Sequence, residues 1–408
     1  MLNYIWFFFF AVAFLCAIIQ SLFMGDEGIW ERLMTTTFDS SKRAFEICLG
    51  LTGVLTFWLG LMKIGEQAGL VAKVSRWISP LFSRIFPGIP SGHPASGSIM
   101  MNVSANILGL DNAATPMGLK AMKELQELNP EKETATDAMI MFLVLNTSGL
   151  TIIPISIMMY RAQYGAANPS DIFIPLLLAT FCSTLFGLTA CCLKQRIRFD
   201  RVLLSTVLGA LLFIVGVCVL FGNMSQENIQ RYSSIFSNVL LFSAIMTFLV
   251  AGLRKKVPIF ETFVDGAKEG FTTVVTIIPY QLALFVGISL FRECGALGLI
   301  TQSITWCLEQ ANMPTDFVSA LPCAILKPLN GAGARAMMLD VFETYGVDSF
   351  VGHITSCVQG ATDTTMYVLA VYFGSVGVKR FRYAAAYGLL ADLVGIIAAI
   401  TIGYIFFG

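Results

Sequence analysis

"QGATDTTMYVLAVYFGSVG" at residues 359–377 places one acid and three hydroxyl groups directly before an apolar run. The chain around it has 408 residues, of which 56% are hydrophobic and only 13% are charged. This composition lies outside the range of soluble domains and predicts an integral membrane protein. A charge at the centre of a membrane helix costs roughly 2.5–3.5 kcal/mol on insertion scales. Asp363 therefore needs a cavity, a neighbouring cation or a bound proton.

Long uncharged segments support a multi-pass, all-α membrane protein. Residues 1–25, 172–193, 202–221 and 234–252 carry no formal side-chain charge. Each segment is near or above the roughly 20 residues that a helix needs to cross a bilayer. The first segment lacks a positive start and a small-residue cleavage site, so we expect it to remain as the first span.

The sequence contains no common motif for metal binding, redox chemistry, nucleotide binding or nucleophilic catalysis. The ten cysteines include one close pair, Cys191 and Cys192, and no Cys-x-x-Cys, while His93 and His353 stand far apart. Neither a zinc site nor a redox motif is indicated, and the chain has no Walker A motif, nucleophile elbow or dinucleotide fingerprint. We expect no enzyme activity, no catalytic residue, no metal and no cofactor. The 26 basic and 26 acidic residues balance, which argues against nucleic-acid binding.

Two halves of the chain resemble each other. "DSSKRAF" (39–45) is similar to "DGAKEGF" (265–271), and "LNTSGLTIIP" (145–154) falls opposite "VQGATDTTMY" (358–367). The similar stretches occur in the same order in both halves. We predict a first repeat over residues 1–193, a linker with an extra transmembrane helix over 194–233, and a second repeat over 234–408.

The placement of basic residues predicts that the repeats are inverted. The clusters "KQRIRFDR" (194–201), "RKK" (254–256) and "KRFR" (379–382) lie beside spans and are expected on the cytoplasmic side. Because one additional span separates the two repeats, the second repeat crosses the membrane in the opposite direction to the first. Inverted repeats with broken helices at the bilayer midplane are typical of secondary transporters.

In the first repeat, two polar segments interrupt apolar sequence. Residues 95–118 predict a re-entrant hairpin or an interfacial loop. Residues 145–154 predict an unwound helix, with hydrogen bonding between helices as the alternative. The candidate ligand-binding residues here carry amide or hydroxyl groups: Asn102, Asn106, Asn112, Thr115, Asn146, Thr147 and Ser148.

In the second repeat, residues 327–340 contain Lys327, Arg335 and a glycine-rich turn that could receive an anionic group. Alternatively, the two cations pair with Asp340 or with lipid headgroups. Asp363 is a candidate proton-titrating or cation-pairing group, although Thr362 or Asp363 could instead cap the following helix. Asp392 is a secondary candidate for coupling to a proton or cation. The candidate residues of this repeat are Asn330, Arg335, Gln359, Thr362, Asp363, Thr364 and Thr365.

Long motifs in both halves resemble one known pair of proteins. "FWLGLMKIGEQAGL" (57–70) and "NTSGLTIIP" (146–154) resemble spore maturation protein A. "IIPYQLALFVGISLFRECGAL" (277–297) and the stretch from Gln359 to Gly395 look like spore maturation protein B. The resemblance implies two fused gate, or nucleoside-recognition, domains in a multi-pass protein of the bacterial cell inner membrane.

Two functions follow from these observations. The first is a secondary transporter or permease for a small polar solute, such as a nucleoside-like compound, an amino acid or an organic anion. Its site would lie between the repeats. The second is a membrane scaffold in envelope or spore maturation, in which the polar residues only join helices. The expected partners are the small solute and the lipid bilayer, and the sequence also allows a homodimer.

Overall fold

The protein is all-helical, as predicted. The computed structural model describes residues 2–90, 92–108 and 111–408, except for the side chains of Leu2, Asn3, Ile5, Asp111, Asn112, Ala113, Gln226, Thr276, Ile277 and Tyr280. No strand occurs in these ranges. The helices are α1 (Leu2–Phe23), α2 (Ile29–Gln67), α3 (Leu70–Ile85), α4 (Pro94–Ile107), α5 (Asp111–Glu127), α6 (Asp137–Thr147), α7 (Ile155–Gln163), α8 (Phe173–Lys194), α9 (Arg201–Gly222), α10 (Gln226–Arg254), α11 (Ile259–Glu293), α12 (Ala296–Gln310), α13 (Leu321–Leu326), α14 (Gly331–Tyr345), α15 (Phe350–Gly360), α16 (Thr365–Ser375) and α17 (Ala384–Phe407).

Six of the described helices are long and apolar enough to cross a membrane. They are α1, α2, α8, α9, α10 and α17, and α11 with α12 forms a further apolar pair bent by 66°. The protein is therefore a multi-pass membrane protein. The four uncharged segments of the sequence fall within α1, α8, α9 and α10.

The order of helices occurs twice, on either side of α9. In each half a very long helix, α2 or α11, ends at a glycine in the left-handed region, Gly69 (φ +77°) or Gly295 (φ +81°). A shorter helix follows, then two packed helices, then an interrupted pair, and finally a long helix, α8 or α17. In the first half the two packed helices, α4 and α5, form the helical hairpin expected over residues 95–118.

Corresponding helices of the two halves pack against each other in opposite directions. Between α2 and α11, Gly60 lies against Gly266, and Thr56 lies against Gly270. Between α8 and α17, Gly187 lies against Ala391, and Ser183 against Gly395. In both pairs the residue numbers rise along one helix as they fall along the other. The two halves are therefore inverted relative to each other.

One end of the molecule, here called the basic end, contains residues 128–136, 194–201, 254–256 and 376–383. The backbone amides of Lys379 and Arg380 donate to the carbonyl of Glu133 at 2.9 Å, and the Gln195 side chain donates to the carbonyl of Asp137 at 2.8 Å. A hydrogen bond from the Lys379 side chain lowers the pKa of Glu133.

Helix α3 connects the basic cluster at residues 254–256 to the basic end. Arg84 of α3 pairs with Asp200 at 3.0 Å, and Lys73 and Arg76 line one groove together with Arg254 and Lys255. The three basic clusters therefore share one end, as the positive-inside argument requires.

The opposite end joins residues 164–172 to residues 346–349. The buried side chain of Arg161 donates to the carbonyl of Val347 at 2.9 Å and pairs with Asp171 and Asp348 at 3.0 Å. The span formed by α6 and α7 thus runs from the basic end to the opposite end, whereas α15 and α16 run back. The interrupted spans are antiparallel.

We predict that Gly266→Ala destabilises the protein. An added Cβ atom would lie 2.6 Å from the carbonyl oxygen of Leu59 and 3.0 Å from the Cα atom of Gly60, so α2 and α11 would have to separate. Overpacking of this kind costs about 1–3 kcal/mol. The melting temperature in detergent should fall relative to the control Gly209→Ala, where the added Cβ atom meets no other atom within 4 Å. Equal melting temperatures would show that the helices are not in close contact here.

The inverted arrangement also predicts opposite accessibility of two exposed residues. Glu131 lies at the basic end, and Ala167 lies in the loop of residues 164–172 at the opposite end, where its amide donates to Oδ2 of Asp348 at 2.8 Å. In a background with the exposed Cys307 changed to Ser, we expect an impermeant maleimide to label Glu131→Cys only from the cytoplasmic face. Ala167→Cys should be labelled only from the other face, and labelling of both from one face would rule out this arrangement.

Candidate functional site

The two interrupted spans cross at their breaks. α6 ends at Thr147 and α7 begins at Ile155, while α15 ends at Gly360 and α16 begins at Thr365. The backbone amide of Asp363 donates to the carbonyl of Thr147 at 2.7 Å. A break in one half of the chain therefore contacts the break in the other half.

Gly149 explains how closely the breaks approach. Its φ of +62° lies in the left-handed region, and a Cβ atom at this position would lie 3.0 Å from the amide nitrogen of Asp363. A glycine provides both the backbone conformation and the space. Pro154, which has no N–H group to donate, stands immediately before α7.

Backbone groups released by the breaks find acceptors on neighbouring helix ends. The amide of Ile152 donates to the carbonyl of Ile107 at 2.9 Å, and the amide of Met366 donates to the carbonyl of Pro328 at 3.0 Å. Because lipid offers no hydrogen bonds, unwound backbone persists in a membrane only when protein or a wet cavity satisfies it. In this protein, other backbone groups accept the hydrogen bonds of Ile152 and Met366 at the two breaks.

A cavity of about 180 Å³ lies at the crossing. One buried water needs about 10–15 Å³ by a comparable measure, so the cavity has room for a small organic molecule. Its walls come from both halves of the chain and carry amides, hydroxyls and charges: Asn106, Asn146, Gly149, Thr151, Ile153, Pro154, Ile155, Ser156 and Ile157 from one half, and Lys327, Arg335, Gln359, Gly360, Thr362 and Asp363 from the other.

Six of the residues proposed from the sequence line this cavity. They are Asn106, Asn146, Arg335, Gln359, Thr362 and Asp363. The Asn106 amide donates to Oδ1 of Asn146 at 2.9 Å, and the Asn146 amide donates to the carbonyl of Phe142 at 2.8 Å. These two asparagines are therefore held in fixed orientations at the cavity wall.

Other proposed residues bond to protein groups and do not line the cavity. Asn102 donates to the carbonyl of Ala114 at 2.7 Å and so joins α4 to α5. The hydroxyls of Thr147 and Ser148 donate to carbonyls of α6 at 3.1 Å. Thr365 donates to Oδ2 of Asp392 at 2.6 Å, which places Asp392 behind α16.

Three further proposed residues lie near helix ends. Asn330 caps α14 by accepting from the amide of Ala332 at 3.2 Å, Thr364 is the residue before α16, and Thr115 is half-buried on α5. The side chain of Asn112 lies outside the described residues. Neither Thr362 nor Asp363 occupies the capping position of α16, but Oδ1 of Asp363 accepts from the amide of Thr364 at 2.7 Å.

Lys327 was not among the residues proposed for the site. It lies between α13 and α14, lines the cavity and is 6% exposed. The sequence left open that Lys327 and Arg335 pair with Asp340, but Asp340 pairs instead with Arg292 at 3.0 Å. Both cations consequently remain available to the cavity.

The Arg161 cluster at the opposite end was not foreseen either. His353 does not stand alone, because its Nε2 atom lies 2.8 Å from Oδ2 of Asp171. Donor atoms of His353, Asp171 and Asp348 lie within 4.8 Å of one another, close enough to hold a metal ion. The guanidinium of Arg161 contacts all three and already supplies a positive charge among them. Residues this far apart in sequence give no local signal of such a cluster.

Comparison with known proteins places the chain in a family. A family model for the Gate domain, described as nucleoside recognition, matches residues 48–164. Spore maturation protein A of Bacillus subtilis (strain 168) is 44% identical over 166 residues, which are 41% of this chain and 85% of the relative. Spore maturation protein B of the same organism is 44% identical over 160 residues, 39% of this chain and 88% of the relative. No solved structure gives a significant match.

Both relatives are covered over most of their length at high identity, and the Gate model includes the break between α6 and α7. The resemblance seen in the sequence motifs is thereby confirmed. The chain belongs to the family of spore maturation proteins A and B, membrane proteins with the Gate, or nucleoside-recognition, domain.

Proposed function

We propose that this protein is a secondary transporter or permease of the bacterial inner membrane, and that it moves a small polar solute through the cavity at the helix crossing. The observation that carries the proposal is the crossing itself. Two antiparallel interrupted spans contact each other through Asp363 and Thr147, beside a cavity that both halves of the chain line. Inverted repeats with discontinuous helices around one site are the architecture of many secondary transporters.

The chemistry of the cavity wall suits a polar solute. Asn106 and Gln359 offer amide groups, and Thr151 and Thr362 offer hydroxyls. Asp363 is exposed, although its neighbours Thr362 and Thr364 are buried. A solute bound here would replace water with hydrogen bonds from both halves. Movement of one half against the other would then change which end of the protein is open to the solute.

The basic end would face the cytoplasm, because positively charged loops are retained on that side. The opposite end, held by Arg161 between Asp171 and Asp348, would face outward. At each end, loops of different halves contact each other. Opening either end requires those contacts to separate.

A membrane scaffold is the second candidate function. The observation that favours it is that Asn102, Thr147, Ser148 and Thr365 use their side chains for hydrogen bonds within the protein. Such bonds join helices without any ligand. In a scaffold the cavity would contain only water.

We predict that Asp363→Asn abolishes solute uptake while the protein stays folded. Asparagine has nearly the same size and keeps an oxygen that can accept from the amide of Thr364, but it cannot carry a negative charge or a proton. Purified wild type and variant would be reconstituted into proteoliposomes and tested for uptake of labelled nucleosides, amino acids and small carboxylates. The melting temperature of both would be measured in parallel.

Asp265→Asn is a suitable control, because Asp265 is an exposed acid that pairs with the nearby Lys268 at 3.1 Å. It should transport like the wild type. Wild-type uptake that Asp363→Asn leaves unchanged would remove Asp363 from the mechanism. If the wild type moves none of these solutes and Asp363→Asn is equally stable, the scaffold becomes the better description.

A further inference from the structure

Lys327 is a buried cation without a partner of its own. Lys327 lines the cavity and is 6% exposed. Its backbone amide donates to the carbonyl of Cys323 at 3.0 Å, but its side chain forms no salt bridge or hydrogen bond with the described residues. Arg335 and Asp363 are the other ionisable residues that line the same cavity. Buried charges in proteins are normally paired, because an isolated charge loses the stabilisation that water provides.

Arg335 is a second cation of the same cavity. Its guanidinium lies over the ring of Tyr160, 5.5 Å from the ring centroid, and has no carboxylate partner within the described part of the chain. Asp363 is the one acid among the lining residues, and one of its oxygens already accepts from the amide of Thr364. The cavity wall therefore carries two basic groups and one acidic group.

The first turn of α7 adds to this positive character. Pro154, Ile155, Ser156 and Ile157 all line the cavity, so the amino-terminal end of α7 is directed toward it. The amide of Ile155 already donates to the carbonyl of Ile153 at 2.9 Å, but those of Ser156 and Ile157 have no acceptor within the helix, and the helix dipole is positive at this end. Both features favour a bound anion.

A second cavity of about 150 Å³ adjoins the first. It shares Ile155, Ser156 and Arg335 with the polar cavity. Its other walls are mostly apolar and include Trp58 and Leu51 of α2. Arg335 thus stands where a polar compartment meets an apolar one.

The geometry points to an organic anion as the solute, with its carboxylate bound between Lys327, Arg335 and the first turn of α7. The apolar part of the solute extends toward the second cavity. The planar guanidinium of Arg335 can hold both oxygens of a carboxylate, and the Lys327 ammonium supplies a point charge. This inference rests on the proposed transport function and narrows its substrate to one chemical class.

The test measures binding to the purified full-length protein by thermal shift and calorimetry. The probes are benzoate and phenylacetate as apolar carboxylates, succinate as a polar one, inorganic phosphate, and uridine as a neutral polar solute. The variant is Lys327→Met, and Lys268→Met is the control because Lys268 is exposed and lies outside the cavity. We expect an apolar carboxylate to bind the wild type and the control equally. Lys327→Met should bind it about tenfold to hundredfold more weakly, as expected for the loss of one charge-assisted hydrogen bond.

A second measurement does not require the natural solute. Without ligand, Lys327→Met should melt at a higher temperature than the wild type, because it removes an unpaired buried charge. A lower melting temperature would show that Lys327 has a structural partner and would overturn the inference.

The binding results separate this inference from the transport function. Binding of uridine alone overturns the anion assignment and leaves a transporter of neutral solutes. If phosphate binds and none of the carboxylates does, the solute is an inorganic anion and the assignment to an organic anion is wrong. Carboxylate binding that Lys327→Met does not weaken places the anion elsewhere. No binding by any probe overturns the inference, and absence of uptake as well would count against the transport function itself.

Discussion

Unwound backbone cannot be left without hydrogen bonds inside a membrane, and this constraint organises the centre of the protein. The break after α6 and the break after α15 each release carbonyl and amide groups. The amide of Asp363 donates to the carbonyl of Thr147 across the two breaks, and each break gains one further bond within its own half, to Ile107 or to Pro328. The polar centre is therefore built from contacts within each half and from one direct contact between the inverted halves.

The apolar part of the fold brings the two breaks together. Glycines at positions 60, 266 and 270 let α2 and α11 approach closely, and Gly187 and Gly395 do the same for α8 and α17. In a membrane, close backbone contact replaces the hydrophobic effect as a driving force between helices. These two antiparallel pairs fix the relative position of the halves, and the interrupted spans cross between them.

The sequence predicted the class of protein, the main spans and the interruptions, because composition and helix-breaking residues are local signals. It also predicted six of the residues that line the cavity. It did not distinguish Asn106, which lines the cavity, from Asn102, which bonds to Ala114. These two residues are four positions apart and lie on the same face of α4, one turn from each other. Only the packing along the helix decides which of them reaches the cavity.

Other features depend on contacts that the sequence does not show. Lys327 lies in the stretch expected to receive an anionic group, but only the fold shows that Asp340, its most obvious partner, pairs instead with Arg292. The contact between Arg161 and Asp348 joins residues 187 positions apart, and no local pattern reveals it. Pairing between distant residues depends on the whole fold. A single sequence can therefore indicate which types of residue form a site, but not which residues they contact.

The bond from Asp363 to Thr147 has a consequence for leakage. This bond joins the two breaks directly, and in the proposed transporter the halves have to disrupt it when they separate at this point. Buried polar groups left without partners are costly, so such openings should be rare when nothing occupies the cavity. A solute that offers replacement hydrogen bonds lowers that cost. The same contact would then act as a seal, protecting the ion gradients of the cell from a pore that opens without cargo.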